Sequence, residues 1–259
     1  MVDWSIGQYE RTALELAPVT EHVIELGRLQ PGLRVVDLAT GTGNAALAAA
    51  RHGAVVTGID TATRLIQVAR ERAAAEGLAV TFLEGDVQQL PFDDRAFDVA
   101  ISVFGLIFAP DPDRAFAEMI RVLAPTGRAL VTVWVPEGPI FAMVSAFGRA
   151  VAAATGEVPR RFAWHDVDTV RELAARHGAT IDVHDAQLTI TAESPEAYVV
   201  AGQQHPGNLA ARPILEQAGT YAEVSKQALA ILSDANQDPT AFRVTSPYRI
   251  YDIRRIAPS

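Results

Sequence analysis

Hydrophobic and polar positions follow two alternating patterns between residues 35 and 136. In the longer segments, apolar residues recur at helical spacing, as at Leu65, Ala69 and Ala73. The shorter segments are rich in β-branched residues and predict strands at Val35–Asp37, Val55–Ile59, Val80–Leu83, Val99–Val103 and Leu130–Val135. Strands that are apolar throughout and alternate with helices favour a parallel sheet that is covered on both faces.

After Pro136 the pattern becomes mainly helical. Strict alternation still predicts two strands, Ile181–Thr191 and Phe242–Ile253. The remaining segments predict helices at Phe141–Ala154, from about Val167 to His177, at Pro195–Gly202 and at Leu209–Ser233. A helical insertion between two strands is a natural substrate lid, and we expect residues 195–233 to serve as one.

Two short sequence signals mark the ends of predicted elements. The segment Ala-Arg-His-Gly-Ala occurs at residues 50–54 and again at 175–179, and basic residues followed by glycine predict a helix end at both places. Pro125-Thr-Gly127 predicts a turn that leads into the fifth strand.

Composition narrows the class of protein. The 259 residues are 49% hydrophobic and 20% charged, so the chain can bury a full core. Thirty-one acidic against 22 basic residues give a net charge of −9, which argues against a nucleic-acid partner because phosphate backbones attract basic surfaces. Cysteine is absent from the sequence, which excludes disulfides, thiolate metal sites and a cysteine nucleophile.

The sequence predicts a cytoplasmic protein. The first 30 residues contain several acidic residues and lack the apolar run of a secretory signal. The longest uncharged stretch rich in large apolar residues, Val99–Pro110, is too short to span a membrane. No cluster of His, Asp and Glu has the spacing of a metal site. The oligomeric state is left open.

A glycine-containing loop follows the first predicted strand. Gly41 and Gly43 permit a tight turn and let the backbone approach a ligand, which the free N–H groups of the following helix can bind. The pattern Gly41-x-Gly43-x-x-Ala46 also matches the dinucleotide fingerprint, so an NAD(P)-dependent oxidoreductase is an alternative.

Acidic residues end each of the first three strands. Asp37, Asp60 and Asp86 are therefore expected to face one crevice, because the carboxyl ends of parallel strands meet at the same edge of a sheet. Their mutual repulsion raises their pKa values unless a ligand supplies donors or positive charge. An acid beside the glycine turn would repel a pyrophosphate and favour a ligand with an ammonium group and a sulfonium. Asp60 can bind two ribose hydroxyls, and Asp86 can accept from an adenine amino group.

These blocks resemble the class I S-adenosylmethionine-dependent methyltransferases, in particular the small-molecule branch of the ubiquinone/menaquinone-biosynthesis type. The acid-x-Gly-x-Gly-x-Gly loop of that family is present from Asp37 to Gly43, with Ala39 in place of the first glycine. Gly85-Asp86-Val87, residues 97–105 and residues 121–128 are similar to later blocks of the family and stand in the same order. The resemblance extends roughly from Tyr9 to Arg254 and is strongest over residues 34–136.

The resemblance implies a fold, a domain plan and a cofactor. The fold is a Rossmann-like, doubly wound seven-stranded sheet, mostly parallel with an antiparallel last strand, plus a helical lid. The implied plan is a single domain, with an N-terminal helical segment (1–34), a cofactor-binding core (35–136) and helical acceptor-side or lid elements (137–178 and 192–241). The cofactor is S-adenosylmethionine, with S-adenosylhomocysteine as product. The implied cofactor contacts are Tyr9, Asp37, Ala39, Thr40, Gly41, Thr42, Gly43, Asp60, Thr61, Gly85, Asp86, Val87, Ser102 and Val103.

The acceptor side carries weaker signals. His165 and His205 are candidate general bases, although methyl transfer needs a base only when the acceptor must lose a proton. The turn Ser102-Val-Phe-Gly105 lacks the Pro-Pro-aromatic pattern of methyltransferases that modify nucleobase or glutamine amino groups, so a small-molecule acceptor is favoured. Candidate walls of an apolar acceptor pocket are Phe104, Phe108, Trp134, Phe141 and Trp164. The sequence predicts methyl transfer to a small, mostly apolar acceptor. A cofactor-binding protein without methyl transfer is a second alternative.

Overall fold

The computed structural model describes residues 2–157 and 162–256, and within them the chain forms seven strands, ten α-helices and one short 3-10 helix, Leu106–Phe108. The strands are β1 (Arg34–Leu38), β2 (Val55–Asp60), β3 (Val80–Glu84), β4 (Phe97–Val103), β5 (Leu123–Trp134), β6 (Ala179–Ala192) and β7 (Phe242–Arg255). The helices are α1 (Glu10–Glu15), α2 (Ala17–Gly27), α3 (Asn44–Arg51), α4 (Thr63–Glu76), α5 (Pro112–Val122), α6 (Gly138–Thr155), α7 (Val167–Arg176), α8 (Pro195–Gly202), α9 (Pro206–Gln217) and α10 (Tyr221–Asp234).

The strands form one sheet in the order β3-β2-β1-β4-β5-β7-β6. Strands β1 to β5 pair in parallel. Strand β7 runs antiparallel to β5, because Arg128 pairs with Asp252 while Arg255 donates to the carbonyl of Leu123. The predicted seven-stranded sheet with an antiparallel last strand is therefore confirmed. The strand order reverses between β1 and β4, and at such a point the carboxyl ends of an α/β sheet leave a crevice for a ligand.

Apolar strands and small helical residues explain the close packing around β1. Val35, Val36 and Leu38 are fully buried, as expected for a strand covered on both faces. Helix α3 buries a continuous run from Ala45 to Ala49, in which every residue except Leu47 is an alanine. A helix with such small side chains can lie close to its neighbours and hold the loop that precedes it.

The repeated Ala-Arg-His-Gly-Ala segments end helices, as predicted. His52 is the C-cap of α3, and His177 is the C-cap of α7. The glycines that follow, Gly53 and Gly178, have φ values of 80° and 63°, which glycine adopts without steric cost.

The predicted turn at Pro125-Thr-Gly127 lies inside strand β5 instead. Phe97 of β4 pairs with Leu123, and Val99 pairs with Arg128, so β4 advances two residues while β5 advances five. The residues between these pairs are accommodated as an irregularity of the ladder rather than as a turn before it. The prediction was wrong because a proline and a glycine interrupt pairing without ending the strand.

The chain divides into two compact units. The core unit comprises the described residues of 16–134, 162–186 and 249–259, and the helical unit those of 1–15, 135–161 and 187–248. Helix α7, which the predicted plan groups with the acceptor-side elements, lies in the core unit and packs against α5. The lid role of residues 195–233 stays a prediction.

Within the helical unit, α6 packs against α9 and α10. The predicted helical stretch Leu209–Ser233 consists of two helices, because the chain turns at Gly219 with a φ of 71°. Among the residues that the structure describes, α6 is the one helix whose length and composition would suffice to cross a membrane, and a single such helix is weak evidence of a span. The stretch singled out from the sequence, Val99–Pro110, forms the end of β4 and the 3-10 helix.

Candidate functional site

Asp37 supports the glycine loop from beneath. Its side chain is only 2% exposed, and its Oδ2 accepts hydrogen bonds from Thr40 Oγ1 at 2.6 Å and from the backbone N–H of Ala46 at 3.0 Å. Burial raises the pKa of this carboxyl to about 7, although both hydrogen bonds favour the ionised form. The negative charge of Asp60 raises the pKa of Asp37 further. Asp37 thus joins the end of β1 to the first turn of α3.

Asp60 holds the same loop from the end of β2. Its Oδ2 accepts from the backbone N–H of Gly41 at 2.8 Å, and its Oδ1 accepts from that of Ala62 at 2.8 Å. The backbone N–H of Thr40 also donates to the carbonyl of Ile59, so the loop runs directly over the end of β2. Burial raises the pKa of Asp60 as well.

Asp86 lies in the turn after β3 and is exposed. Its carboxylate accepts from the backbone N–H of Gln88 at 2.8 Å and from the Gln88 side-chain amide at 3.1 and 2.8 Å. A ligand amino group at Asp86 would share this carboxylate with Gln88 or displace the amide.

The three acids therefore occupy the carboxyl ends of three adjacent strands, β1, β2 and β3. The crevice rim is open at Thr61 and Asp86, which are exposed, and at Ala39, Gly85 and Val103, which are half-buried. The donors to Asp37 and Asp60 named above are all uncharged, so these hydrogen bonds bring no positive charge to this edge of the sheet. A ligand with an ammonium group, a sulfonium and vicinal hydroxyls fits this set of acceptors, whereas a pyrophosphate does not.

The glycine loop contains three left-handed residues. Ala39, Gly41 and Gly43 have φ values of 55°, 53° and 82°. A Cβ atom at Gly43 would lie 3.0 Å from Phe82 Cζ and 3.1 Å from Ala69 Cβ, so this position faces packed side chains. The missing side chain of Gly43 lets the loop dock on α4 and β3, and its contact with the cofactor stays a prediction.

The ends of β4 and β5 lie beside this loop. Ser102 is fully buried, and its hydroxyl donates to the carbonyl of Leu38 at 2.8 Å and accepts from the N–H of Leu106 at 2.9 Å. The side chain of Ser102 therefore connects β1, β4 and the 3-10 helix, and its hydroxyl is engaged within the protein. Val103, the next predicted contact, is half-buried at the rim. Val87, which follows Asp86, is buried in the core.

Phe104 adopts a strained backbone conformation. Its φ is 56°, which is rare for an aromatic residue, and its N–H donates to the buried hydroxyl of Thr132 at 2.8 Å. The Phe104 ring stacks on Trp134, with centroids 3.8 Å apart and planes at 3°. Strained residues of this kind persist only where the surrounding structure determines them, and they concentrate at functional sites.

Of the predicted aromatic wall, Phe104 and Trp134 stack on each other. Trp164 is 5% exposed and belongs to the core, where its ring contacts Phe162 and its carbonyl accepts from Tyr251 Oη at 2.7 Å. Phe108 remains 44% exposed at the end of the 3-10 helix. Phe141 remains 42% exposed on α6 of the helical unit.

The two candidate bases lie in different units. His165 is exposed in the turn before α7, and its carbonyl accepts from Arg249, which also pairs with Asp185 on the edge strand β6. His205 belongs to the helical unit and caps α9, because its Nδ1 accepts from the N–H of Gly207 at 3.1 Å. Burial lowers the pKa of His205, so this ring is neutral with its proton on Nε2.

Tyr9 also lies in the helical unit. Its ring is 5.6 Å from Trp4 and 6.3 Å from His205, centroid to centroid. The backbone next to Tyr9 is hydrogen-bonded to the residue before His205, since the N–H of Gln8 donates to the carbonyl of Gln204 at 2.8 Å. The cofactor role of Tyr9 stays a prediction.

Sequence reasoning missed Thr132 and Arg72. Thr132 lacks a local signal, since a buried threonine is common. Arg72 stands four residues before Glu76, a spacing typical of an exposed helical ion pair, yet its guanidinium contacts the glycine loop.

Comparisons with known proteins agree with this geometry. Residues 35–127 match the family described as a methyltransferase domain. An uncharacterized protein of Mycobacterium tuberculosis is 36% identical over 162 residues, which are 62% of this chain and 59% of that protein. A demethylmenaquinone methyltransferase of Thermus thermophilus is 46% identical over 105 residues, which are 40% of this chain and 48% of that protein.

A similar fold occurs in the YcgJ protein from Bacillus subtilis. Its crystal structure matches with a TM-score of 0.62 at 21% identity, over 91% of this chain and 97% of that one. The chain thus spans 59% of the length of its mycobacterial relative and nearly the whole of this structural neighbour. Family, fold and loop geometry agree, and the chain belongs to the class I S-adenosylmethionine-dependent methyltransferases, on the branch similar to the quinone-biosynthesis type.

Proposed function

We propose that this chain transfers a methyl group from S-adenosylmethionine to a small, mostly apolar acceptor. The observation that carries the proposal is the arrangement of Asp37 and Asp60 under and beside the glycine loop, where the two buried carboxylates accept from the uncharged donors named above. A cationic cofactor with ribose hydroxyls complements that charge, whereas a dinucleotide pyrophosphate would be repelled by it.

The residues of the crevice have separate roles in this proposal. Asp60 accepts from two ribose hydroxyls. The hydrogen bonds that its carboxylate accepts from the backbone N–H groups of Gly41 and Ala62 fix the direction of that carboxylate. Asp86 accepts from the adenine amino group. Asp37 attracts the ammonium end through its charge. The remaining predicted contacts come from the loop residues around Gly41 and from the rim residues Thr61 and Val103.

The acceptor side is proposed to use the stacked pair Phe104 and Trp134. Their rings lie at the carboxyl ends of β4 and β5, beside the strand that carries the glycine loop. Phe104 is buried, whereas Trp134 is half-buried and keeps part of its indole open. A flat apolar surface of this kind suits an apolar acceptor with a ring. The relative from Thermus thermophilus, a demethylmenaquinone methyltransferase by name, supports such an acceptor.

The cofactor, when bound, supplies a methyl group that is already activated by a positively charged sulfur. The tasks of the chain are then to hold the acceptor in line with that methyl group and to exclude water. If the acceptor must lose a proton, His165 and His205 remain the proposed bases. His205 carries its proton on Nε2, so it would donate a hydrogen bond there unless its cap on Gly207 opens.

Two measurements test the proposal. Calorimetry should give binding of S-adenosylhomocysteine and none of NADH, and binding of NADH alone would instead establish the oxidoreductase alternative. Labelled methyl groups should then appear in at least one member of a panel of apolar ring compounds that carry hydroxyl, amino or acidic C–H groups. Binding of the cofactor product with no labelled product across the panel would favour a cofactor-binding protein without transfer.

A further inference from the structure

Arg72 on α4 donates hydrogen bonds to the glycine loop from a single nitrogen. Its Nη1 lies 2.7 Å from the Thr42 carbonyl, 3.2 Å from the Thr42 hydroxyl and 2.7 Å from Asn44 Oδ1. These oxygens flank Gly43, the residue at which the loop enters α3. One guanidinium therefore determines the positions of both neighbours of the last loop glycine.

Two half-buried arginines, Arg72 and Arg255, donate to uncharged oxygens, whereas Arg121 and Arg128 pair with carboxylates. In the part of the chain that the structure describes, the hydrogen bonds of Arg72 go to uncharged oxygens only. Burial lowers its pKa and nearby Arg51 lowers it further, while Glu76 raises it. The loop oxygens therefore offset part of the free-energy cost of holding this half-buried cation.

A second contact brings the loop and α4 together. The missing Cβ of Gly43 would lie 3.1 Å from Ala69, which is on α4 one turn before Arg72. Gly43 thus allows the loop to approach the helix, and Arg72 closes hydrogen bonds at that contact. Both observations indicate that contacts with α4 fix the conformation of residues 42–44.

The contacts with α4 matter because the ordered conformation of the loop costs conformational entropy. Gly41 and Gly43 are both left-handed, and glycines gain more conformational freedom than other residues when they are released. A loop that is ordered before the ligand arrives spares the ligand the free energy of ordering it. We propose that Arg72 is a positioning residue for cofactor binding, which acts by holding Thr42 and Asn44 in the conformation that receives the ligand. The inference rests on the proposed function.

Arg72→Met tests the proposal, with Arg70→Met as the matched control. Arg70 is on the same helix and donates to the carbonyl of Phe82 at 2.7 Å, so its loss also removes a half-buried hydrogen bond but not one to residues 42–44. We expect R72M to weaken S-adenosylhomocysteine binding about tenfold or more in calorimetry, and R70M to change it less than about threefold. Arg72→Lys, which keeps charge and donors, should recover part of the affinity.

Amide hydrogen exchange gives a readout independent of affinity. In R72M without ligand, exchange at residues 40–46 should rise, while the strands of the core unit keep their protection. Equal affinities of R72M and R70M, or unchanged exchange of the loop, would overturn the role of Arg72. A folded wild-type protein that does not bind the cofactor product would overturn the proposed function itself.

Asn44→Ala covers the case in which R72M does not fold. It removes Asn44 Oδ1, one of the loop oxygens to which Arg72 donates, and leaves the arginine in place. Binding should weaken about threefold or more in N44A. Full affinity in both N44A and R72K would contradict the proposal.

Discussion

The methyl group of Ala39 occupies the space that a side chain at Gly105 would need. A Cβ atom at position 105 would lie 2.5 Å from Ala39 Cβ and 2.9 Å from the Ala39 carbonyl oxygen. The alanine stands where the family has its first loop glycine, and it adopts a left-handed φ of 55°. The loop after β1 and the turn after β4 can therefore approach each other because position 105, rather than position 39, is a glycine.

Gly105→Ala should lower the free energy of unfolding by about 1–3 kcal/mol, as is usual for overpacking. Ala39→Gly should change it by less than about 1 kcal/mol, because relief of the left-handed alanine is offset by greater freedom in the unfolded chain. The double variant should regain part of the loss, but not all, since the contact with the carbonyl oxygen remains. Urea unfolding of the four proteins measures this coupling, and strictly additive effects would contradict the contact.

Asp60→Asn should weaken binding of S-adenosylhomocysteine about tenfold or more, because a hydrogen bond to a charged group contributes about 1.5–3 kcal/mol. Asparagine keeps the size of the side chain and one acceptor for the loop, so folding is preserved better than with alanine. Asp98→Asn is the control, since Asp98 pairs with Arg34 near the other end of β4. Calorimetry should give unchanged affinity for D98N. Equal effects of the two substitutions would remove Asp60 from the binding site.

The ligand-free protein should become less stable as pH rises because of Asp37. Burial raises the pKa of Asp37 to about 7 in the folded state, whereas an unfolded aspartate titrates near 4. The folded state then binds more protons between these values, so the free energy of unfolding falls as pH rises through this range and levels above pH 7. The slope from this one group approaches about 1.4 kcal/mol per pH unit between pH 5 and 6.

Asp37→Asn isolates that contribution. Burial raises the pKa of Asp60 as well, so the wild-type slope alone does not identify its source. The variant should gain stability relative to wild type as pH increases from 5 to 8, measured by urea unfolding at each pH. A difference between the two proteins that stays constant with pH would mean that Asp37 titrates normally.

Thr132→Val should destabilise the protein by about 1–3 kcal/mol, because it leaves the buried N–H of Phe104 without its acceptor. Thr132→Ser keeps the hydroxyl and loses one methyl group, and it should cost about 1 kcal/mol. Near-ultraviolet circular dichroism should change in the valine variant alone, because release of Phe104 alters its stacking on Trp134. A larger loss in serine than in valine would show that packing rather than the hydrogen bond is decisive.

The sequence by itself determined the sheet and the elements around it. Apolar β-branched runs specified five parallel strands, and strict alternation specified β6 and β7, because burial on two faces and on one face leave different patterns. The helix ends at His52 and His177 followed from local capping chemistry. The acids at the ends of β1, β2 and β3 were also predictable, since parallel strands align their carboxyl ends. The irregularity in β5 was not predictable, since a proline and a glycine mark an interruption without specifying its kind.

Only the tertiary structure decided which side chains support the loop and which face the crevice. Gly43 packs on Phe82 and Ala69 because α4 crosses behind the loop, a contact between residues far apart in sequence. The same crossing brings Arg72 to Thr42, 30 residues away, although its spacing to Glu76 indicates an exposed pair. Local patterns report burial and capping within one element. The contacts that orient a ligand loop depend on how separate elements pack, and no periodicity along the chain encodes that packing.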